Sequence, residues 1–307
     1  MRALIPGSVI HHKGIDAPCM RTGADGACAQ REAGLCGVHK HFGREAKPVG
    51  CRRFPYGLLS TPEGGRITTE HRCPCRTLGE RPLLDVSEAE RSLLSAAGRL
   101  EADNRAPARI PVSAHRFVSF ARYRAAESAM IERLLAGERA EDVIAAKALP
   151  DLHEGEWLYL ISELYEMIDD TAGGVAIGWY ADALFHLSED EVGPARPRPW
   201  APAFERALAR SPLRETPDQI IADWLADELW MMRWLGWDCT FDVARAELAT
   251  RLAMVRHIID LLKRRRVNTS QAAAEAIMIV ELGATFDPWT DLVGMIANAP
   301  SPAAPLD

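Results

Sequence analysis

The sequence predicts a mainly α-helical protein in which a loop-rich, cysteine-cluster metal module packs on an α-helical body. Three observations lead there. Six of the seven cysteines, Cys19, Cys28, Cys36, Cys51, Cys73 and Cys75, fall within the first 75 residues. The same stretch is punctuated by glycine and proline and shows no long stripe at the helical period. From about residue 86 onward, apolar residues recur at helical spacing between glycine and proline stops. The expected organisation is a cysteine-rich metal-binding module over 1–82, an α-helical domain over 83–298 and a disordered tail over 299–307.

Within the module, GRITTEHRC supports a short strand, because Ile67, Thr68 and Thr69 suit an extended backbone. Ser87 followed by Glu90 spells a capping box and predicts an amphipathic helix reaching about Asn104. Pro107 and Pro111 break the chain. A second helix is expected from about Ser113 to Ala136, with Gly137 as its stop. Glu141 to Leu149 reads as a short helix before Pro150, and Glu156 to Asp169 as another, rich in Leu, Ile, Trp and Tyr. Gly173 and Gly174 interrupt, and a helix from about Ile177 to Leu187 follows. GPARPRPWAP, at 193–202, is a proline-rich connector. Long helices resume near Pro217 and near Phe241, and Lys263 to Arg266 place positive charge at the C-terminal end of the second. Thr269 or Ser270 caps a last long helix reaching about Leu282, with a short one from Pro288 to Ala297.

Composition excludes several classes. The chain has 307 residues and a net charge of -7, so it lacks the basic face that general nucleic-acid binding needs, although a local basic patch in the Arg- and His-richer first half remains open. No run of about 18 uncharged apolar residues occurs, so no membrane span is expected. The opening MRALIPGSVIHHKG has too short an apolar run for a secretory signal, and the expected compartment is the cytoplasm. Disulfides are disfavoured there, so the clustered cysteines read as metal ligands.

The spacing C-x8-C-x7-C-x14-C-x21-C-x-C is neither a pair of zinc knuckles nor a ferredoxin run. Thiolates from separate loops can still converge on one centre, and soft sulfur donors select zinc or an iron–sulfur cluster over calcium or magnesium. Gly34, Gly37 and Gly43 permit the turns that aim side chains inward. Pro48 and Pro55 stiffen the approach to Cys51, while Lys47, Arg52 and Arg53 are placed to offset thiolate charge and to donate hydrogen bonds around it. His39 and His41 are possible further ligands, though solvated histidines near a helix end are the plainer reading.

Cys28, then GLCGVH at 34–39, then GREAKPVGCRRFP at 43–55, then Cys73-Pro74 follow one another in an order and density that resemble the YkgJ-type cysteine-cluster family, described as zinc- or iron-chelating. That family includes the flagellin lysine N-methylases. The resemblance covers roughly residues 19 to 80 well and 86 to 285 loosely, where PDQIIADWLADELW at 217–230 takes the place of a motif of the methylase subgroup. It implies Cys28, Cys36, Cys51 and Cys73 as the ligand set of a 4Fe–4S cluster or zinc. It also implies S-adenosylmethionine as methyl donor and a protein substrate such as flagellin. The family opens with a C-x-x-C-x-x-C-C cluster that this chain lacks, and Cys19 and Cys75 are the residues available to substitute. A binding or interaction module stapled by the same metal is the alternative reading.

A lysine must lose its proton before it attacks a methyl donor, and Glu70 and the acidic helix near Asp169 are the carboxylates considered for that task. Glu163, Glu166, Asp169 and Asp170 otherwise read as a solvated helix face. Trp230, Trp234 and Trp237 are expected on one face of a helix, as core together with Trp224. GGVAIG, at 173–178, follows a helix and lacks the full dinucleotide fingerprint. Cys239 reads as a buried, inert thiol.

Overall fold

A computed structural model of the chain describes residues 7–12, 17–21, 28–32, 35–78, 85–95, 97–149, 155–189, 196–210 and 215–298. The expected tail lies outside these residues, as do parts of the cysteine loops. The described chain is mainly helical, with small sheets gathered toward its N-terminal part.

Two hairpins come first: β1 (Val9–His12) with β2 (Ala17–Met20), then β3 (Arg31–Glu32) with β4 (Leu35–Cys36). Two short helices follow, α1 (Gly37–Phe42) and α2 (Val49–Arg53). The expected strand is β6 (Gly64–Thr69). It pairs antiparallel with β5 (Tyr56–Thr61), Tyr56 opposite Thr69. After α3 (Pro74–Thr77) and α4 (Val86–Leu93), strand β7 (Asn104–Arg105) joins β5 in parallel, Leu59 opposite Asn104. This sheet therefore draws strands from both sides of the 82/83 division.

The helix expected to reach Asn104 stops at Leu93. Asp85, not Ser87, supplies its cap, accepting from the Ser87 amide at 2.9 Å. The helix expected from Ser113 begins later. Residues 109–119 form a hairpin of β8 (Arg109–Ser113) and β9 (Arg116–Ser119), with a register shift between Pro111 and Ser113, the kind of irregularity at which a strand tolerates proline. Ser119 then caps α5 (Phe120–Leu135) by accepting from the Arg122 amide.

The remaining helices are α6 (Ala140–Ile144), α7 (Gly155–Glu166), α8 (Ala172–Glu189), α9 (Ala201–Arg210), α10 (Pro217–Met231), α11 (Phe241–Arg264), α12 (Thr269–Gly283) and α13 (Asp287–Asn298). Helix α9 has no counterpart in the sequence expectation. The glycines at 173 and 174 do not interrupt α8; they lie in its first turn. Gly178 is inside it because a Cβ there would meet the Arg196 guanidinium at 2.7 Å. Asn268, rather than Thr269 or Ser270, caps α12.

Helix α12 is the centre of the body. Ala272, Ala273, Ala274 and Ala276 are fully buried, and their small side chains let α8, α10 and α11 close around them. Trp224 and Trp289 are also fully buried, but the tryptophan stripe is not one helix face. Helix α10 ends at Met231, Met232 turns left-handed, and Arg233–Trp237 form a 3-10 turn. Trp234 is core, whereas Trp230 is partly exposed with Arg66 stacked 4.2 Å above its ring. Among the described residues, no helix is long and apolar enough to cross a membrane.

Candidate functional site

Three of the cysteine-bearing segments meet at one hollow. Cys28, Cys36 and Cys51 come from three different segments and together line a surface cavity of about 490 Å³ with Gln30, Arg31, Lys47, Gly50 and Phe54. Local chemistry explains how they are held. The Cys28 carbonyl accepts from the Arg31 amide at 2.8 Å, closing a turn, and its sulfur accepts weakly from the Gln30 amide at 3.4 Å. Gln30 is buried; its side chain donates to Ser8 at 2.7 Å and its carbonyl accepts the Gly37 amide at 2.8 Å. A Cβ on residue 37 would lie 2.7 Å from that carbonyl, so the position beside Cys36 admits only glycine without rearrangement. Cys36 pairs across the hairpin with Arg31 and leads into α1, while Cys51 sits in the middle of α2.

Cys73 and Cys75 are not among the residues lining this hollow. Cys73 and Cys75 flank Pro74 and are bonded to each other, with Cys75 exposed. Cys19 lies on β2 opposite Ile10, and its side chain falls outside the described residues. His41 and Lys40 both face Glu32, at 2.6 and 2.8 Å, and pull its carboxyl down to about 2; His39 is exposed. Arg52 and Arg53 do not line the hollow. Arg52 pairs with Glu45 at 2.7 Å and Arg53 with Asp103 at 2.7 Å, which in turn accepts the Leu58 amide. Lys47 and Arg31 supply the cationic rim.

The donor set fits a soft metal in kind: three sulfurs line the cavity and no carboxylate does. The set is incomplete as it stands. Among the described residues, no three His, Cys, Asp or Glu side chains are grouped so as to hold a metal ion.

A second constellation lies where the N-terminal part meets the helices. His71 Nε2 is 2.8 Å from Asp227, and Arg76 donates to Asp223 at 2.5 Å and to Asp227 at 2.7 Å. Burial works against the Arg76 charge, but the two aspartates outweigh it and raise its pKa. Arg66, almost fully buried, donates to Glu127 at 2.9 Å and to the Trp230 carbonyl at 3.1 Å. Glu70, the carboxylate weighed as a base, is held by Arg72. Deeper in the body, Arg251 bridges Glu228 at 2.7 Å and Glu247 at 2.6 Å, and Trp289 donates to Glu247 at 3.0 Å. Burial favours the neutral form of Glu228, yet Arg251 and Arg233 hold it down at about 2. Burial raises Glu247 and Glu281 against the pull of the same arginines.

Sequence reasoning missed this junction. The available signal, for the deeper cluster, was charge set into apolar helix runs: Glu247 and Arg251 four apart in α11, and Glu281 within AAAEAIMIVELG. Helix α7, expected to reach Asp169, ends at Glu166, and Glu163, Glu166 and Asp169 take no part in the junction. Asp169 is exposed and accepts from the Thr171 amide at 2.9 Å, turning the chain into α8. Cys239 is buried, its thiol pushed up to about 12 by burial and then by Glu247, which suits an inert residue.

No family model, no curated protein and no solved structure matches this chain.

Proposed function

We propose that this chain is a cysteine-ligated metalloprotein holding zinc or an iron–sulfur cluster, and that it modifies a protein substrate in the manner of the flagellin lysine N-methylases it resembles. The observation that carries the metal is the convergence of Cys28, Cys36 and Cys51 on one hollow rimmed by Lys47 and Arg31. These three thiolates would hold the metal, with Cys73, Cys75 or Cys19 as further ligands once the Cys73–Cys75 pair is reduced. The bound group supplies a positively charged or electron-storing centre that neutralises the thiolates and ties three loops together. The chain's own residues position it. Gln30 fixes the Cys28 turn to Ser8, and Gly37 brings the Cys36 backbone against Gln30. Phe54 and Lys47 line the same hollow.

The methyl-transfer part rests on the resemblance and on a chemical requirement, a carboxylate environment able to receive an amine. The second reading, a non-catalytic module stapled by metal, is favoured by how little apolar burial the N-terminal part has of its own. Anaerobic purification with metal analysis and optical spectroscopy tests the common claim. A brown protein with charge-transfer absorption near about 400 nm indicates an iron–sulfur centre, and a colourless one releasing zinc indicates the staple. Metal-free protein with an unchanged fold overturns both. Labelled S-adenosylmethionine then separates them: metal present without binding removes the methyltransferase.

A further inference from the structure

Helix α5 carries two of its charges the wrong way round for a helix on its own. Its 16 residues bury Phe120, Tyr123, Glu127 and Leu134 against the body, chiefly against α10. The opposite face is exposed and holds Arg122, Ala125, Ala129 and Glu132. Arg122 stands in the first turn and Glu132 in the last, so a cation meets the positive end of the helix dipole and an anion the negative end. Among the described residues neither has an ion-pair partner, and about 15 Å of helix separates them, too far to pair with each other. The neighbouring exposed charges are already matched, Arg124 by Glu63 and Arg133 by Glu138. Two unmatched charges of opposite sign, fixed at the two ends of one helix face, require a partner of the reverse polarity.

The same helix, turned end for end, has that polarity. At about 3.6 residues per turn the four exposed residues fall within an arc of about 80°. Their spacing, three then four then three, is the same read in either direction. We propose that this face docks a second copy of the chain, with the two α5 helices antiparallel about a two-fold axis level with Glu127. Such an axis sets Arg122 of one protomer opposite Glu132 of its partner, twice, and Ala125 opposite Ala129, twice. The alanines let the two backbones come close enough for the charges to meet. Arg133 falls opposite Ala121, whose small side chain leaves room for the Arg133–Glu138 pair. Apolar side chains stand at both ends of the face, Phe117 51% exposed before the helix and Leu135 64% exposed in its last turn. An anionic polymer or a basic peptide would match one of the two charges and repel the other, whereas a second copy matches both. The contact uses none of the residues lining the cysteine hollow and does not depend on what that hollow binds.

The test is sedimentation equilibrium of the full chain and of three variants. One helix face is smaller than a standard interface, so the wild type should form a dimer that dissociates at concentrations on the order of tens of micromolar and weakens as salt rises. Arg122→Glu sets a glutamate against Glu132, and Glu132→Arg sets an arginine against Arg122; each should weaken the dimer about tenfold or more. Mixed one to one, these two variants regain both contacts and should form a heterodimer of wild-type affinity. The double reversal in one chain should restore the homodimer. Both substitutions suit the helix dipole and lie at exposed positions, so helicity and melting temperature should not fall, and a lost dimer is then not an unfolded chain. A wild type that stays monomeric up to about 1 mM, a dimer indifferent to either single reversal, or a mixture of the two variants that stays monomeric overturns the proposal.

Discussion

From Phe120 to Trp289 the helices bury side chains by the dozen around α12, whereas before Thr77 the buried hydrophobic residues among those described are Val38, Leu58 and Leu59. The two regions are held by different forces. The helical body has an apolar interior of the usual kind, with the Arg251 cluster set into it. The N-terminal part joins that interior through Leu59 and Leu78 and is otherwise attached by ion pairs: Arg66 to Glu127, Arg76 to Asp223 and Asp227, His71 to Asp227, Arg53 to Asp103. So little apolar burial cannot by itself offset the ordering of some seventy residues, which cost roughly 1–2 kcal/mol each in backbone entropy. The metal proposed above would add to that stabilisation, and Cys28, Cys36 and Cys51 sit where apolar burial is sparse.

The contrast can be broken most severely at the cysteines. Replacing Cys36 and Cys51 together with serine should abolish metal binding and remove stabilisation on the order of 10 kcal/mol from the N-terminal part. Hydrogen exchange over residues 28–69 should then rise to the unprotected rate while α10–α12 stay protected. Uniform protection in the double variant would show that the region needs no staple.

The next effect in size belongs to the body. Arg251→Ala leaves Glu228 and Glu247 buried without their shared cation and should cost about 3–5 kcal/mol in urea unfolding, with no change in metal content. Arg66→Ala probes the seam itself. It strands the buried Glu127 carboxylate and strips the cation from the Trp230 face, for a loss of about 3 kcal/mol. Protease sensitivity should appear first at the β5–β6 hairpin rather than in the helices.

The smallest effect is a matter of pH. His257 stacks on His186 with ring centroids 3.8 Å apart, and burial, then His186 and Arg264, lower its pKa to about 4. A histidine whose folded pKa lies below its unfolded value of about 6.5 contributes fully above that value and loses its contribution as pH falls toward 4. Half-burial lets solvent screen the effect, so the acid limb between those values should be shallow, and His257→Gln should flatten it. A limb of unchanged slope in that variant assigns the acid sensitivity elsewhere.

The helical class, the long helices α5, α10, α11 and α12, the buried state of Trp224 and Cys239, and strand β6 were legible because each announces itself locally, by period, cap or alternation. The misreadings also have local causes. Ser87 and Glu90 carry the letters of a capping box, but Asp85 two residues earlier captured the amide. Trp230, Trp234 and Trp237 have helical spacing, but the left-handed Met232 between them cannot be foreseen from its side chain. Gly173 and Gly174 looked like a break but open α8, and the close approach of Arg196 to Gly178 comes from too far along the chain to be inferred.

The sequence by itself determined which residue types are present to do chemistry and which segments are helical, because backbone propensity, periodicity and thiol chemistry act over a few residues. Only the tertiary structure decided that Cys28, Cys36 and Cys51 share a hollow while Cys73 bonds to Cys75. It alone set Glu281 without a hydrogen-bond partner beside Arg233. Charge balance in a low-dielectric interior depends on which distant helices pack together, and that packing is fixed by the whole core at once.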